Sequence, residues 1–406
     1  MRRQVLLNWK ASNSFGWGLL GLGVVLHWAS DPDVQPLMGV PMEAGDFPCN
    51  DPVRAMAMGA AVHASNRFLA ELSAGKVDLR ERRVLVVDAL SNGFLGPHLG
   101  RHGIHNVGRC VFEDTRIADK RSRLAKYDSL LCASHWNAAL LRAITPKPVT
   151  MIHEGVDHSQ FFPAPRSGVL DPGRFYVFSG GKIEFRKAHD LVLLAFREFA
   201  ARHDDAVLVA AWHSPWPEVS AGFQGRLQRP LGRNAAGELE IHRWVVENGI
   251  PARQFIQLPP MPNPMLPAVL REMDCSVQVS RCEPCTNLPA KEAMACGVPV
   301  ILADNTGTRD LIDADNCLAI RGQGIVADNA AGGTQGWGES SVEEIVAALE
   351  TLYTDTPLRR RIGARAAHWI VEQHRTWADH ARALRSHLLE LAEDAGGGPD
   401  RLDIGP

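Results

Sequence analysis

Residues 280–301 read Ser280-Arg-Cys-Glu283-Pro-Cys-Thr-Asn-Leu-Pro-Ala-Lys-Glu292-Ala-Met-Ala-Cys-Gly297-Val-Pro-Val-Ile301, and this stretch decides the fold. An apolar β-rich run ends at Ser280 and an irregular loop follows. A helix is predicted to start near Pro289, whose fixed φ suits a first helical turn. Gly297 supplies the left-handed residue that closes the helix before the next β-branched run. A strand–loop–helix–strand unit of this kind belongs to a parallel sheet, and ligands of such sheets bind outside the carboxyl ends of the strands. The free amides of the helix start face that edge and favour an anion. Glu283 lies on the loop and Glu292 one turn into the helix. Two carboxylates there repel a phosphate, so their expected partners are hydroxyl donors such as those of a hexose and a ribose.

Outward from this unit, short β-branched runs alternate with amphipathic helical segments, the pattern of α/β domains. Strands are predicted at 4–8, 83–88, 109–112, 129–133 and 149–153. The turn formers of 162–168 and 171–174 then mark an interdomain linker. The alternation restarts with strands at 175–179, 206–211, 255–258, 275–280 and 298–303. A helix from near Arg186 carries Val192, Ala195, Phe196 and Phe199 on one stripe. Ser341 and Glu344 have capping-box spacing before a helix over 345–352. The expected domains are 1–165 and 174–370, followed by helices over 371–395 that return toward the first domain and a flexible tail over 396–406.

Bulk composition excludes several classes of function. The 406 residues are 45% hydrophobic and 22% charged, the mixture of a globular protein with a sizeable core. A net charge of −3 gives no global attraction to nucleic acid. The cluster Arg116, Lys120, Arg121, Arg123 and Lys126 reads as a solvated helix face. Met1-Arg-Arg running directly into Val5, Leu6 and Leu7 lacks the pattern of a secretory signal. The greasy run 19–26 is far shorter than the about 20 residues of a membrane span. Eight cysteines, many in apolar segments, suit a reducing compartment. A cytoplasmic protein is expected, with peripheral membrane contact left open. Cys282 and Cys285 form a C-x-x-C without the second ligand pair that zinc needs. Asp31, Asp33, Asp313 and Asp315 sit in turn-like sequence, so neither a metal site nor a cofactor is expected.

Two further segments carry chemistry. Ser179-Gly-Gly-Lys182-Ile-Glu-Phe-Arg-Lys187-Ala-His-Asp190 leads from a strand into a helix and places two lysines after a glycine pair. Phe15-Gly16-Trp17-Gly18-Leu-Leu-Gly21 is literally G-x-G-x-x-G. A dinucleotide site is disfavoured, because residues 10–15 separate strand from glycines and no clear second strand ends in an acidic residue about twenty positions later.

From about residue 10 to about residue 380 the chain resembles the retaining glycosyltransferases of the GT-B fold, family four, also called glycosyltransferase group 1. The resemblance rests on the paired glutamates, on Thr286-Asn287-Leu288, and on the Ala-Met-Ala-Cys-Gly-x-Pro-Val-Ile ending at Ile301. This chain has eight residues between Glu283 and Glu292 where the family usually has seven, and Pro284 and Cys285 where it usually has glycines. The resemblance implies two Rossmann-like domains facing a central cleft. It implies that Glu283 binds hydroxyls of the transferred sugar and Glu292 the ribose diol. The amides of Thr286, Asn287 and Leu288 would face the donor diphosphate, held by Lys182 and Lys187. Gly16 and Gly18 would let backbone approach the donor phosphate or the acceptor. Many relatives have a histidine where this chain has Glu113, which either contacts sugar or acceptor or caps the following helix.

The expected activity is transfer of a hexose from a nucleoside-diphosphate sugar to a hydroxyl of a glycan, a lipid-linked acceptor or a small molecule, with retention and without a metal. An epimerase or phosphorylase on the same fold, and a sugar-nucleotide-binding subunit without turnover, are the alternatives.

Overall fold

Val5, Leu6 and Leu7 are fully buried in succession, the mark of a strand covered on both faces of a parallel sheet. They form β1 (Arg3–Asn8) of a computed structural model that describes residues 2–46, 52–96, 100–328 and 332–394. The expected tail 396–406 lies outside the described residues. The chain divides into two compact units, residues 1–157 with 375–406, and residues 158–374.

Unit 1 continues with α1 (Gly16–Trp28), β2 (Val34–Met38), α2 (Pro52–Ser73), β3 (Leu85–Leu90), β4 (His105–Cys110), β5 (Ser129–Cys132), α3 (His135–Ile144) and β6 (Val149–Met151). Its sheet is parallel throughout, in the order β2-β1-β3-β4-β5-β6. β2 was not among the predicted strands, and it ends at Met38 rather than in an acidic residue. Pro36 within it obscures the pattern, and an edge strand is where a sheet tolerates a proline. β4 starts four residues before the expected 109–112. Its polar first residues are tied down, His105 Nε2 to Ser129 Oγ at 3.0 Å and Asn106 N to Asp128 Oδ2 at 2.7 Å.

Unit 2 contains β7 (Phe175–Lys182), α4 (His189–Ala200), β8 (Ala206–His213), α5 (Pro217–Ser220), α6 (Ile241–Glu247), β9 (Phe255–Gln257), α7 (Leu266–Leu270), β10 (Cys275–Gln278), α8 (Leu288–Ala295), β11 (Val300–Ala303), β12 (Leu318–Ile320), α9 (Val342–Thr354) and α10 (Thr356–Glu372). Its parallel sheet runs β12-β11-β10-β7-β8-β9. The predicted stripe of α4 is wholly buried in its core. Ser341 Oγ accepts from Glu344 N at 3.1 Å, as the capping spacing predicts. The Glu344 carboxylate turns instead to the amides of Arg321 and Gly322. Residues expected as linker are fastened to unit 2. Arg271 donates to Gln160 O and Phe162 O, Arg166 pairs with Asp274 at 2.8 Å, and Ser167 N donates to Glu272.

The last described helix, α11 (Trp377–Asp394), belongs to unit 1. Trp28 Nε1 donates to Ala381 O at 3.0 Å, and the Trp377 indole fills the space beside Gly23, where a Cβ would lie 2.7 Å from the ring. Trp377 is buried, so Trp377→Ala should lower the stability of unit 1 by about 3–5 kcal/mol, read as an earlier urea transition. A transition unmoved by the change would show that α11 does not brace this unit.

Candidate functional site

β7 and β10 are adjacent and parallel, so the loops that leave their carboxyl ends meet at one edge of the second sheet. The β7 loop turns through a 3-10 segment, Phe185–Lys187, and then through Ala188 at φ 56°, a left-handed residue that redirects the chain into α4. The β10 loop ends at Asn287, the N-cap of α8, whose side-chain oxygen accepts from Ala290 N at 3.1 Å. Gly297 has φ 77°, the left-handed close predicted for this helix.

Glu283 is the centre of the site. Its side chain is buried, and Oε1 accepts from Lys187 Nζ at 2.7 Å, Ser280 Oγ at 2.6 Å and Asn287 Nδ2 at 2.9 Å. Oε2 accepts from Arg186 Nη1 at 3.2 Å. Burial alone pushes the carboxyl up, but Lys187, Arg186 and these hydrogen bonds together hold it below its ordinary value. Burial pulls the Lys187 ammonium down, partly offset by Glu283. The backbone of Glu283 is fixed too: its N–H donates to Thr306 Oγ1 at 2.9 Å and its carbonyl accepts from Gly307 N at 3.0 Å. A Cβ on Gly307 would lie 1.7 Å from Cys285 O, so only glycine fits there.

A fully buried ion pair holds the two loops in register. Arg281 Nη1 and Nη2 donate to Asp190 Oδ1 and Oδ2 at 2.9 and 2.7 Å. Arg281 Nε donates to Glu339 at 2.8 Å, Nη1 to Phe185 O at 2.9 Å, and the guanidinium lies 4.3 Å from the Phe185 ring centroid. Arg281 N donates to Arg186 O at 2.7 Å.

Glu292 stands apart from this network. It is buried, accepts from Asn263 Nδ2 at 2.6 Å, and burial raises its pKa to about 7 despite Asn263 and Lys291. Thr286 Oγ1 is buried and makes no hydrogen bond among the described residues.

The expected site residues are thus only partly brought together. Lys187, Glu283, Thr286, Asn287, Leu288 and Glu292 share the edge formed by the β7 and β10 loops and the start of α8. Lys182 pairs with Glu184 at 2.7 Å, lies 4.9 Å from the Trp216 ring, and reaches Glu283 only through Glu184 and Arg186. A Cβ on Gly18 would lie 2.4 Å from Ser12 O, so the glycine lets the preceding loop pack closely onto α1. Gly16 is exposed at the start of α1. The 3-10 segment that follows Glu113 has Ile117 at its N-cap. Its amide donates to Asn92 Oδ1 at 2.9 Å. Asp31 and Asp33 pair with Arg385, and Asp313 accepts from Trp369 Nε1. Cys282 and Cys285 are buried. Sequence reasoning missed Arg186, Arg281, Asp190, Asn263 and the Thr306-Gly307 turn; the one available signal was that Asn305-Thr-Gly follows a strand end, as ligand loops do.

Residues 163–369 match the family model "Glycosyl transferases group 1". No curated protein sequence matches the chain. The fold is similar to sucrose-phosphate synthase from Thermosynechococcus elongatus, with TM-score 0.66 and 16% identity over 97% of this chain and 100% of that one. It is also similar to Anabaena Alr3699/HepE in complex with UDP-glucose, with TM-score 0.61 and 13% identity over 95% and 99%. A glycosyltransferase from Rickettsia africae gives TM-score 0.61 and 12% identity over 98% and 100%. The architecture is the two-domain Rossmann-like GT-B fold.

Arg281→Met strands Asp190 in the core and should cost about 3–5 kcal/mol in denaturant unfolding, while Arg281→Met with Asp190→Leu recovers most of it. Equal stability of the single and double variants would contradict this. Because the Glu292 pKa lies above the ordinary 4.5, its contribution to stability is present below that value and lost as pH rises through about 7. Glu292→Gln should therefore flatten the fall in melting temperature across that window; an unchanged profile would assign the fall to other groups.

Proposed function

The chain belongs to the glycosyl transferases group 1, and from that premise we propose that it moves a hexose from a nucleoside-diphosphate sugar to an acceptor hydroxyl, with retention at the anomeric carbon and without a metal. The observation that carries the reading is the buried carboxylate of Glu283 beside Lys187 and Arg186 at the ligand edge of the second sheet. The UDP-glucose held by the similarly folded Anabaena protein supports a nucleotide-sugar donor.

The donor diphosphate lies against Lys187 and the start of α8, with Lys182 at its side. As the glycosidic bond breaks, negative charge grows on the departing diphosphate. Preorganised cations stabilise that charge more than they stabilise the bound donor. Lys187 then exchanges part of its interaction with Glu283 for the phosphate, which leaves the carboxylate free to accept hydroxyls of the hexose. Thr286 Oγ1, without an internal partner, offers one more hydrogen bond. Glu292 accepts the ribose diol once ionised. No carboxylate is assigned as a covalent nucleophile. The acceptor instead approaches on the face of the leaving group, whose phosphate oxygen takes the acceptor proton.

Lys187 and Glu283 should fail in different ways. Lys187→Ala lowers turnover by about a hundredfold and weakens both nucleoside diphosphate and sugar-nucleotide. Glu283→Ala lowers turnover and sugar discrimination, while affinity for free nucleoside diphosphate does not fall. Calorimetry with both ligands separates them. A nucleotide weakened as much as the sugar-nucleotide by Glu283→Ala would remove the carboxylate from the sugar, and wild-type turnover in Lys187→Ala would end the diphosphate assignment.

A further inference from the structure

Glu184 is surrounded by more positive charge than its local structure needs. Its carboxylate lies 2.7 Å from Lys182 Nζ and 2.8 Å from Arg186 Nε, with Lys187 close enough to act on it. Burial raises its pKa, but Arg186, Lys182 and Lys187 overcome this and hold it at about 2. Local folding does not explain the side chain. Glu184 is the N-cap of the 3-10 segment, yet its carboxylate makes no capping hydrogen bond. Among the described residues its Oε2 accepts no hydrogen bond despite the nearby guanidinium, so that contact is one of charge without good geometry. Glu283 is the contrast, locked by four donors. Glu283 is fastened through both oxygens, whereas Glu184 is held through Oε1 by Lys182 and through Oε2 by the charge of Arg186 alone.

We propose that Glu184 is an internal counter-anion that holds the diphosphate position of the free protein and is moved aside when the donor binds. The inference rests on the donor-site reading above and deepens it, because it makes Glu184 a residue that sets donor affinity. Three cations less two carboxylates leave the cluster one net positive charge. A donor diphosphate brings about two negative charges and therefore competes with Glu184 for Lys182 and Arg186. A carboxylate there keeps the cations gathered and stops them from repelling one another in the free protein. It also weakens retention of the nucleoside diphosphate product.

The sign of the expected effect sets this role apart from a structural one. Titration calorimetry with UDP, GDP and ADP, and with the matching nucleosides, is run on the wild type, on Glu184→Gln and on Glu184→Ala, each checked for a cooperative melt. The diphosphate that the wild type binds should bind both variants about tenfold more tightly, with a steeper loss of affinity in added salt. Affinity for the nucleoside should stay unchanged. Diphosphate binding that is equal or weaker in whichever variant folds would overturn the inference and leave the donor site standing. A wild-type protein that binds none of the three diphosphates would remove the donor-site reading, and this inference with it. Failure of both variants to melt cooperatively would equally overturn it, since it would make Glu184 a structural residue.

Discussion

A carboxylate taken fully out of water is costly unless charge and hydrogen bonds replace its hydration, and Glu283 has both. Lys187 and Arg186 supply the charge, and Ser280 and Asn287 the remaining donors. The four partners come from three places: the 3-10 turn after β7, the end of the β10 run, and the cap of α8. The carboxylate thus ties together the elements that form the ligand edge. Because Asn287 caps α8 with its oxygen and bonds Glu283 with its nitrogen, the direction of that helix is coupled to the position of the carboxylate.

The second layer of this arrangement is the Arg281–Asp190 pair. It has no exposure to water, so its geometry must be nearly ideal to offset the desolvation of two charges. The bidentate contact, together with Glu339 and the Phe185 carbonyl, meets that condition. Its consequence is positional. Phe185–Lys187 is held against the β10 loop, which aims Arg186 and Lys187 at Glu283. Gly307 completes the support from the β11 side, where any larger residue would strike the Cys285 carbonyl.

The alternation of elements, the start and close of α8 and the paired glutamates were legible in the sequence because they rest on local signals: a proline at a helix start, a glycine at its end, and periodic burial. β2 was hidden by Pro36, and the start of β4 by polar residues whose partners, Asp128 and Ser129, lie just before and at the start of β5. The Gly16–Gly21 pattern looked like a phosphate loop, yet Gly18 and Gly21 are filled by Ser12, Ala11 and Trp9 of the chain itself. Close packing and ligand approach both demand glycine, and sequence spacing does not distinguish them. The network behind the site was illegible for a different reason. Asp190 and Arg281 are 91 residues apart and Glu339 a further 58, so nothing local pairs them.

The central claim is that the β7 and β10 loops form a sugar-nucleotide site in which Glu283 exchanges cations for hydroxyls. A crystal structure of the protein with an intact nucleoside-diphosphate sugar tests it most directly. The account predicts the diphosphate within hydrogen-bond distance of Lys187 Nζ, a hexose hydroxyl on Glu283 and the ribose diol on Glu292. A nucleotide bound elsewhere, with the Lys187–Glu283 contact still closed at 2.7 Å, would contradict it.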